Sequence, residues 1–404
     1  MKKVLILGAG PLQVPAIKTA KELGCYVFCC DYNPEAIGFS FADKRKVIST
    51  TDIKAVLAYA ASEKVDYVIT SASDAPVRTA AFVSEELNLP YSINYENAKA
   101  ATLKNIMRDR LKAYGVPMPS YTACTTYEEF CNALQSYSYN CIVKPADSAA
   151  SRGVRLVSSY EIDKKQYFEE TLSYSNSKII MVEERAVGPE VSVEAITIEN
   201  ETHIIAITDK EKTAPPYFVE IGHSEPSSLP KETQNEIEKI TKQVIKAIGL
   251  INGPSHTEII ITNEGPKVIE TAARLGGDYI TAQLVPLSTG VQVAEESVKL
   301  ALDEKYNFKK TMNNESAIYF LTAKKPGYIE SIDIDPKLET FSEVKEYNIS
   351  CSIGEYVKPP QSSNDRLGHI IVSCSLGENA AKKARQYASY INIQISPHKA
   401  MKSK

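Results

Sequence analysis

The chain has 404 residues, 43% of them hydrophobic, and a formal net charge of −4. A single core stops growing near roughly 250–300 residues, so about two to four structural units are expected. The sequence has no basic run of the kind that marks a nucleic-acid partner, and its longest apolar stretches have strand length rather than the length of a membrane span. Met1-Lys2-Lys3 leads straight into a short apolar run, without the features of a signal peptide, so the expectation is a cytoplasmic protein with neither a nucleic-acid nor a membrane partner. The basic tail of Lys399, Lys402 and Lys404 reads as a solvated end. The cysteines Cys25, Cys29, Cys30, Cys124, Cys131, Cys141, Cys351 and Cys374 form no CxxC, and several sit in apolar strand-like runs. Reduced core thiols fit them better than disulfides or a zinc site.

In chain order, the first stretch alternates strands at 4–7, 26–30 and 67–69 with helices at 11–23, 54–62 and 77–87. Strands separated by helices imply crossovers and a parallel sheet, hence a doubly wound α/β domain over 1–101. Within it, Gly8-Ala9-Gly10-Pro11-Leu12-Gln13 follows a strand and opens a helix, where a dinucleotide fingerprint belongs, and Asp31 ends the next strand. Gln13 stands in place of the third glycine and Pro11 removes an amide donor. A tight turn presenting helix N-terminal amides to some anionic group fits better, with NAD binding as the rival.

A helix at 103–114 is closed by Gly115 and Pro117. Strands at 140–144, 155–157, 179–184, 191–198 and 203–208 and a helix at 161–172 then make an α+β region. A polar loop at 209–230 leads into an amphipathic helix at 232–248, and strands at 256–262 and 266–271 are joined by the hairpin turn Asn263-Glu264-Gly265. Beyond a linker at Asn313-Asn314, strands at 317–322, 344–347 and 370–374 read as antiparallel, with one covering helix at 378–390. Domains are expected at 1–101, at 102–312 with a small lobe at about 115–185, and at 313–404 as a small C-terminal α+β domain.

Besides the Gly8–Gln13 turn, three clusters carry chemistry. Lys144 ends a buried strand, where its charge is unfavourable unless it meets an anion. The small, polar segment after it, with Ser148, Ser151, Arg152 and Gly153, suits phosphate binding through amides and hydroxyls, or is a plain surface loop. Glu183, Glu184, Ala186 and Glu190 bracket a turn between strands; the acids can accept from an adenine amino group and ribose hydroxyls, or be solvated hairpin charges. Glu258 and Glu270 each interrupt an apolar run on the two strands of the hairpin. Side by side, two carboxylates repel, and a divalent cation removes the conflict; the bland alternative is a pair of outward-facing glutamates. Arg274, at even spacing from Glu270, would reach the same face and neutralise a transferring phosphoryl group. His256 shares the face of Glu258.

These clusters, in this order, resemble the ATP-grasp superfamily over essentially the whole chain. The resemblance implies a pre-ATP-grasp domain, a two-lobed ATP-grasp domain and a C-terminal domain. It implies ATP bound by Lys104, in Thr102-Leu103-Lys104-Asn105-Ile106-Met107-Arg108, and by Lys144, under the loop of Ser148, Ser151, Arg152 and Gly153. Glu183, Glu184, Ala186 and Glu190 then fall at the adenine and ribose contacts, Glu258 and Glu270 at Mg²⁺ or Mn²⁺, and Arg274, with Lys144, at the catalytic centre. Ala272 departs from the family pattern, which usually has a third metal ligand, an asparagine, at that position. The branch most resembled is that of the L-amino acid ligases, with carbamoyl-phosphate-synthase-like and phosphoribosylglycinamide-synthetase-like relatives. Glu220 and His223 match a Glu-x-x-His pair that binds the amino-acid substrate there, and His256, Gly276 and Gly277 fall in the same site. The implied activity is ATP-dependent joining of a small-molecule carboxylate to an amine through an acyl phosphate, in a homodimer. Alternatives are a purine-pathway ligase of the phosphoribosylamine–glycine type, an NAD-dependent oxidoreductase, and a non-catalytic nucleotide-binding regulator.

Overall fold

A computed structural model describes residues 1–149 and 151–398; Ala150 in the polar loop and Lys399, Lys402 and Lys404 of the tail lie outside them. The chain divides into two compact units. One comprises Met1–Pro119, Ala186–Ile207 and Leu229–Thr311, and the other Ser120–Arg185, Thr208–Ser228 and Met312–Lys404.

The first unit opens with a parallel sheet whose strands run in the order Lys44–Val47, Tyr26–Asp31, Lys3–Leu7 and Tyr67–Thr70. Alternate residues of Lys3–Leu7 enter two cores. Val4 and Ile6 pack with Ala16, Ile17 and Ala20, while Leu5 and Leu7 pack with Val56, Tyr59 and Val83. A strand buried on both faces reads as a continuous apolar run, which is why it was legible. The edge strand Lys44–Val47 is exposed along its whole length and carries no such signal. The helix expected at 11–23 is split into a 3₁₀ turn, Pro11–Gln13, and an α-helix, Val14–Glu22, each with proline in its first turn.

The hairpin of Gly253–Thr262 and Gly265–Ala272 also belongs to this unit, and strand Glu190–Ile198 pairs antiparallel with its first arm. Helix Lys231–Ile248, ended by Gly249 in the left-handed conformation at φ +70°, lays Ile237, Ile240, Val244, Ile245 and Ile248 against one face of these strands. Val191, Val193, Ile259 and Val268 of the strands, and Met107 and Leu111 of helix Lys104–Ala113, complete that core. The other face carries the charged residues.

The second unit holds an antiparallel sheet ordered Tyr121–Cys124, Ile180–Glu184, Cys141–Pro145 and Arg155–Val157. Helix Tyr127–Ser136, opened by a Thr126/Glu129 capping box, covers it through Phe130 and Leu134. Strands Glu220–Glu225, Asn314–Thr322, Arg366–Ser375 and Val344–Ile349 form a second antiparallel array, and helix Ala380–Ala388 packs on its apolar face. The polar loop expected at 209–230 is corrected here. Strand Glu201–Lys212 runs into it, and Glu220–Glu225 is a strand within it. Its buried positions include Glu220, His223 and Glu225, so no hydrophobic alternation announces it.

Among the described residues no helix is long and apolar enough to cross a membrane. Seven of the cysteines are buried and Cys131 is half-buried; desolvation pushes the Cys30 thiol up to about 12.

Candidate active site

Glu258 and Glu270 lie directly opposite each other on the two arms of the hairpin. Regular pairing would not deliver this together with a sealed core, because residues 268 and 270 of a strand share a face. The ladder shifts between Glu258 and Ile259, so that Ile259 pairs with Val268 and Ile269 is skipped. This bulge sends Val268 into the core with Ile259 and leaves Glu270 beside Glu258 on the other face. Arg108, fully buried, holds the bulge in place: its guanidinium donates to the carbonyls of Val268 at 2.7 Å and Ile269 at 2.9 Å. One helical turn earlier on the same face, Lys104 places its Nζ 2.9 Å from Glu270 Oε1. The two carboxylate side chains stay 22% and 33% exposed, whereas Lys104 is 8% exposed.

Around this pair lie two further ion pairs. His256, two residues before Glu258 and on its face, has Nδ1 2.6 Å from Glu194 Oε1 and Nε2 3.5 Å from Glu258 Oε1. Burial alone would lower the imidazole's pKa, but the Glu194 charge and the hydrogen bonds to Glu194 and Glu258 outweigh it and raise the pKa to about 9. Glu194 also accepts from the Gly276 amide at 3.2 Å. A Cβ at Gly276 would lie 2.6 Å from a Glu194 oxygen, so the turn needs glycine there; Gly277 has open space. Arg274 grips Asp74 with Nε–Oδ1 of 2.8 Å and Nη2–Oδ2 of 3.2 Å. Burial would raise the Asp74 carboxyl's pKa, but the Arg274 charge holds it below the ordinary range. Three cations and four carboxylates thus interlock on one face of the first unit. Among the described residues no group of three or more His, Cys, Asp or Glu is arranged to hold a metal ion. Glu258 and Glu270 therefore offer a two-carboxylate site, which suits an ion that keeps waters and phosphate oxygens as its other ligands. Ala272 lies opposite His256 and adds no donor.

Glu190 opens its strand opposite Ile260, after a turn in which a Cβ on Gly188 would collide with the Ile261 carbonyl. Ala186 begins the segment that leads into that turn. In the second unit, Lys144 and Glu183 form a sealed pair, 2.8 Å apart with side chains 5% and 3% exposed. Glu184 accepts from the Ser120 amide at 3.1 Å. In the loop, Ser148 is half-buried, Ser151 and Gly153 have φ of +56° and +75°, and Arg152 donates to the Ala149 carbonyl at 3.1 Å. A side chain at Gly153 would press on Pro145 and Tyr174. Glu220 lies 3.4 Å from Lys210 and 3.7 Å from Lys212, and buried His223 packs edge-on against Phe320 with ring centroids 5.8 Å apart. Both stand on a strand rather than in a loop.

At the N-terminal turn, Gly8 has φ +101° and Ala9 donates its amide to Asp31 at 2.8 Å. Gln13 is 6% exposed, packs over Gly8 and donates to the Ser71 carbonyl at 3.2 Å. The turn's amide therefore meets a carboxylate of the chain itself, and a glutamine side chain fills the position of the missing glycine.

Sequence reasoning missed Asp74, Glu194 and the role of Arg108. Glu194 gave a signal, since it interrupts an apolar run just as Glu258 does. Arg108 is one turn from Lys104. Asp74 precedes a helix and looks like an ordinary N-cap, although its side chain makes no capping bond.

A model described as "ATP-grasp domain" matches residues 137–282, and one described as "L-amino acid ligase C-terminal domain 2" matches 319–396. The chain carries an ATP-grasp domain followed by an L-amino acid ligase C-terminal domain. Among its relatives, the alanine–anticapsin ligase of Bacillus subtilis is 32% identical over 203 residues, covering 45% of this chain and only 42% of that protein. The formate-dependent phosphoribosylglycinamide formyltransferase of Ignicoccus hospitalis is 22% identical over 97% of this chain and 96% of its own. Among solved structures, an L-amino acid ligase from Bacillus licheniformis shares the fold, with a TM-score of 0.81 and 22% identity over 98% of this chain and 99% of that one.

Proposed function

We propose that this ATP-grasp ligase joins an amino acid to an amine, forming an amide through an acyl phosphate with release of ADP and phosphate. The observation that carries this is the facing pair Glu258 and Glu270 with Lys104 on Glu270. The match to an L-amino acid ligase C-terminal domain at 319–396 favours an amino-acid substrate over the phosphorylated sugar amine of the purine-pathway alternative. The filled turn at Gln13 speaks against an oxidoreductase using NAD.

Glu258 and Glu270 are the residues for Mg²⁺, or Mn²⁺ in its place. An ion held by these two carboxylates would supply positive charge to offset that of the nucleotide's phosphoryl groups. Lys104 and Lys144 are assigned to the phosphates, as are Ser148, Ser151, Arg152 and Gly153. Glu183, Glu184, Ala186 and Glu190 are assigned to the adenosine. Each of these lysines lies beside a carboxylate, Lys104 at Glu270 and Lys144 at Glu183. Arg274 stabilises the acyl phosphate in an orientation that Asp74 fixes from two sides. Glu220, His223, His256, Gly276 and Gly277 are assigned to the substrate. An amine attacks the acyl carbon and phosphate leaves; no protein nucleophile is required.

The domain division at 1–101, 102–312 with a small lobe at about 115–185, and 313–404 belongs to this proposal. Both family matches fall inside its boundaries. So do a homodimeric state and a cytoplasmic location. Phosphate release from ATP, measured across amino acids singly and in pairs, tests the function: a pair-dependent signal supports it, and ATP binding without ADP formation across the panel would indicate a regulator instead.

A further inference from the structure

Glu194 sits at the centre of strand Glu190–Ile198, opposite His256, and is 2% exposed. Its two oxygens are divided between two elements. Oε1 lies 2.6 Å from His256 Nδ1, and Oε2 accepts from the Gly276 amide at 3.2 Å. His256 in turn points Nε2 at Glu258, at 3.5 Å. The fit is tight on the glycine side, where a Cβ at residue 276 would meet the two Glu194 oxygens at 2.6 and 2.8 Å. A buried ion pair adds little net stability over apolar residues of equal volume, so what this pair supplies is orientation. With so little surface exposed, Glu194 acts on a ligand only through the groups it holds.

Resting on the ligase function above, we propose that Glu194 is a positioning residue. It clamps the imidazole that orients Glu258 to the backbone of the Gly276–Gly277 turn, so that the metal-side carboxylate and the substrate turn hold one register. Displacing either half by about an ångström is enough to cost roughly 10²-fold in rate.

The test uses the full chain with Glu194→Gln, which keeps the volume and one acceptor but removes the charge. Hydrogen exchange of the segment around Gly276 is measured without nucleotide, and kcat and KM are measured with ATP, Mg²⁺ and amino acids. Loss of a charge-assisted bond predicts exchange about tenfold faster at Gly276. It also predicts kcat lower by about 10²-fold, with the KM for ATP held to within about threefold because the phosphate lysines are untouched. Exchange and kcat both within twofold of the parent protein would overturn the proposal, as would a fall in kcat with unchanged exchange. Should Glu194→Gln fold poorly, Gly276→Ala is compared alone and combined with Glu194→Ala. The clamp predicts that the double variant is no worse than Glu194→Ala, and additive losses would overturn it. If the parent protein turns over no amino acid, the ligase function fails, while the exchange comparison still decides on Glu194.

Discussion

The hairpin of the first unit and the small lobe of the second both pair lysine with glutamate, but they do so in opposite settings. Lys144 and Glu183 are 5% and 3% exposed and sealed against the core of their lobe. Lys104 is nearly as buried, yet Glu270 keeps a third of its side chain exposed and faces a second, partly exposed carboxylate. A sealed pair is poised against loss of either partner. A half-open pair, with another carboxylate beside it, is poised for a cation. Substitutions at the hairpin pair should therefore act on turnover with little effect on folding, whereas those at the sealed pair should cost stability as well as turnover.

Glu270→Ala is expected to have the largest catalytic effect, a loss of turnover of about 10³-fold or more. Its far-ultraviolet circular dichroism and urea midpoint should stay near those of the parent, because the residue is half-open. Normal ADP release from this variant would erase the distinction between the two pairs. Lys144→Met removes a residue assigned to the phosphates and should lower turnover too, but it differs from Glu270→Ala in its effect on folding. Stranding the Glu183 carboxylate in a dry site is expected to destabilise the lobe by roughly 3–5 kcal/mol, read from urea unfolding. Arg108→Leu sharpens the contrast from the other side, since it leaves the carbonyls of Val268 and Ile269 without their donor. A loss of roughly 3 kcal/mol is expected, together with weaker Mg²⁺-dependent turnover because the bulge beneath Glu270 loosens. Unchanged stability would show that the bulge holds without its arginine.

The smallest predicted effect concerns pH. His256 is raised from its ordinary 6.5 to about 9, so between these values the folded protein binds a proton that the unfolded chain has released. The stability this contributes is complete below about 6.5 and is lost as pH rises through about 9, to a total of at most roughly 3 kcal/mol. Unfolding free energies at pH 6 and pH 9.5 measure it, and His256→Asn should flatten the difference. An equally steep fall in the variant would place the titrating group elsewhere.

The sequence revealed those parts whose burial follows a simple period. Strands such as Lys3–Leu7, apolar on both faces, and helix Lys231–Ile248, with a clean apolar stripe, were visible at once. The opposed glutamates were visible because a charge inside an apolar run needs an explanation. What stayed hidden depends on pairing. The bulge at Ile269 exists only once two strands have chosen a register, so nothing in Val268-Ile269-Glu270 announces that two nominally same-face residues point apart. Strand Glu220–Glu225 stayed hidden because its buried positions are polar. Asp74 stayed hidden because an acid before a helix has a commoner use, and its partner Arg274 lies 200 residues away.

In the proposed function the hairpin carboxylates serve amide formation between an amino acid and an amine. This role is tested most directly by mass spectrometry of a mixture of amino acids, ATP and Mg²⁺ incubated with the parent protein and with Glu270→Ala. A dipeptide or related amide should form in step with ADP in the parent and be absent with the variant. Amide formation that persists in Glu270→Ala, or ADP release by the parent with no amide, would contradict it.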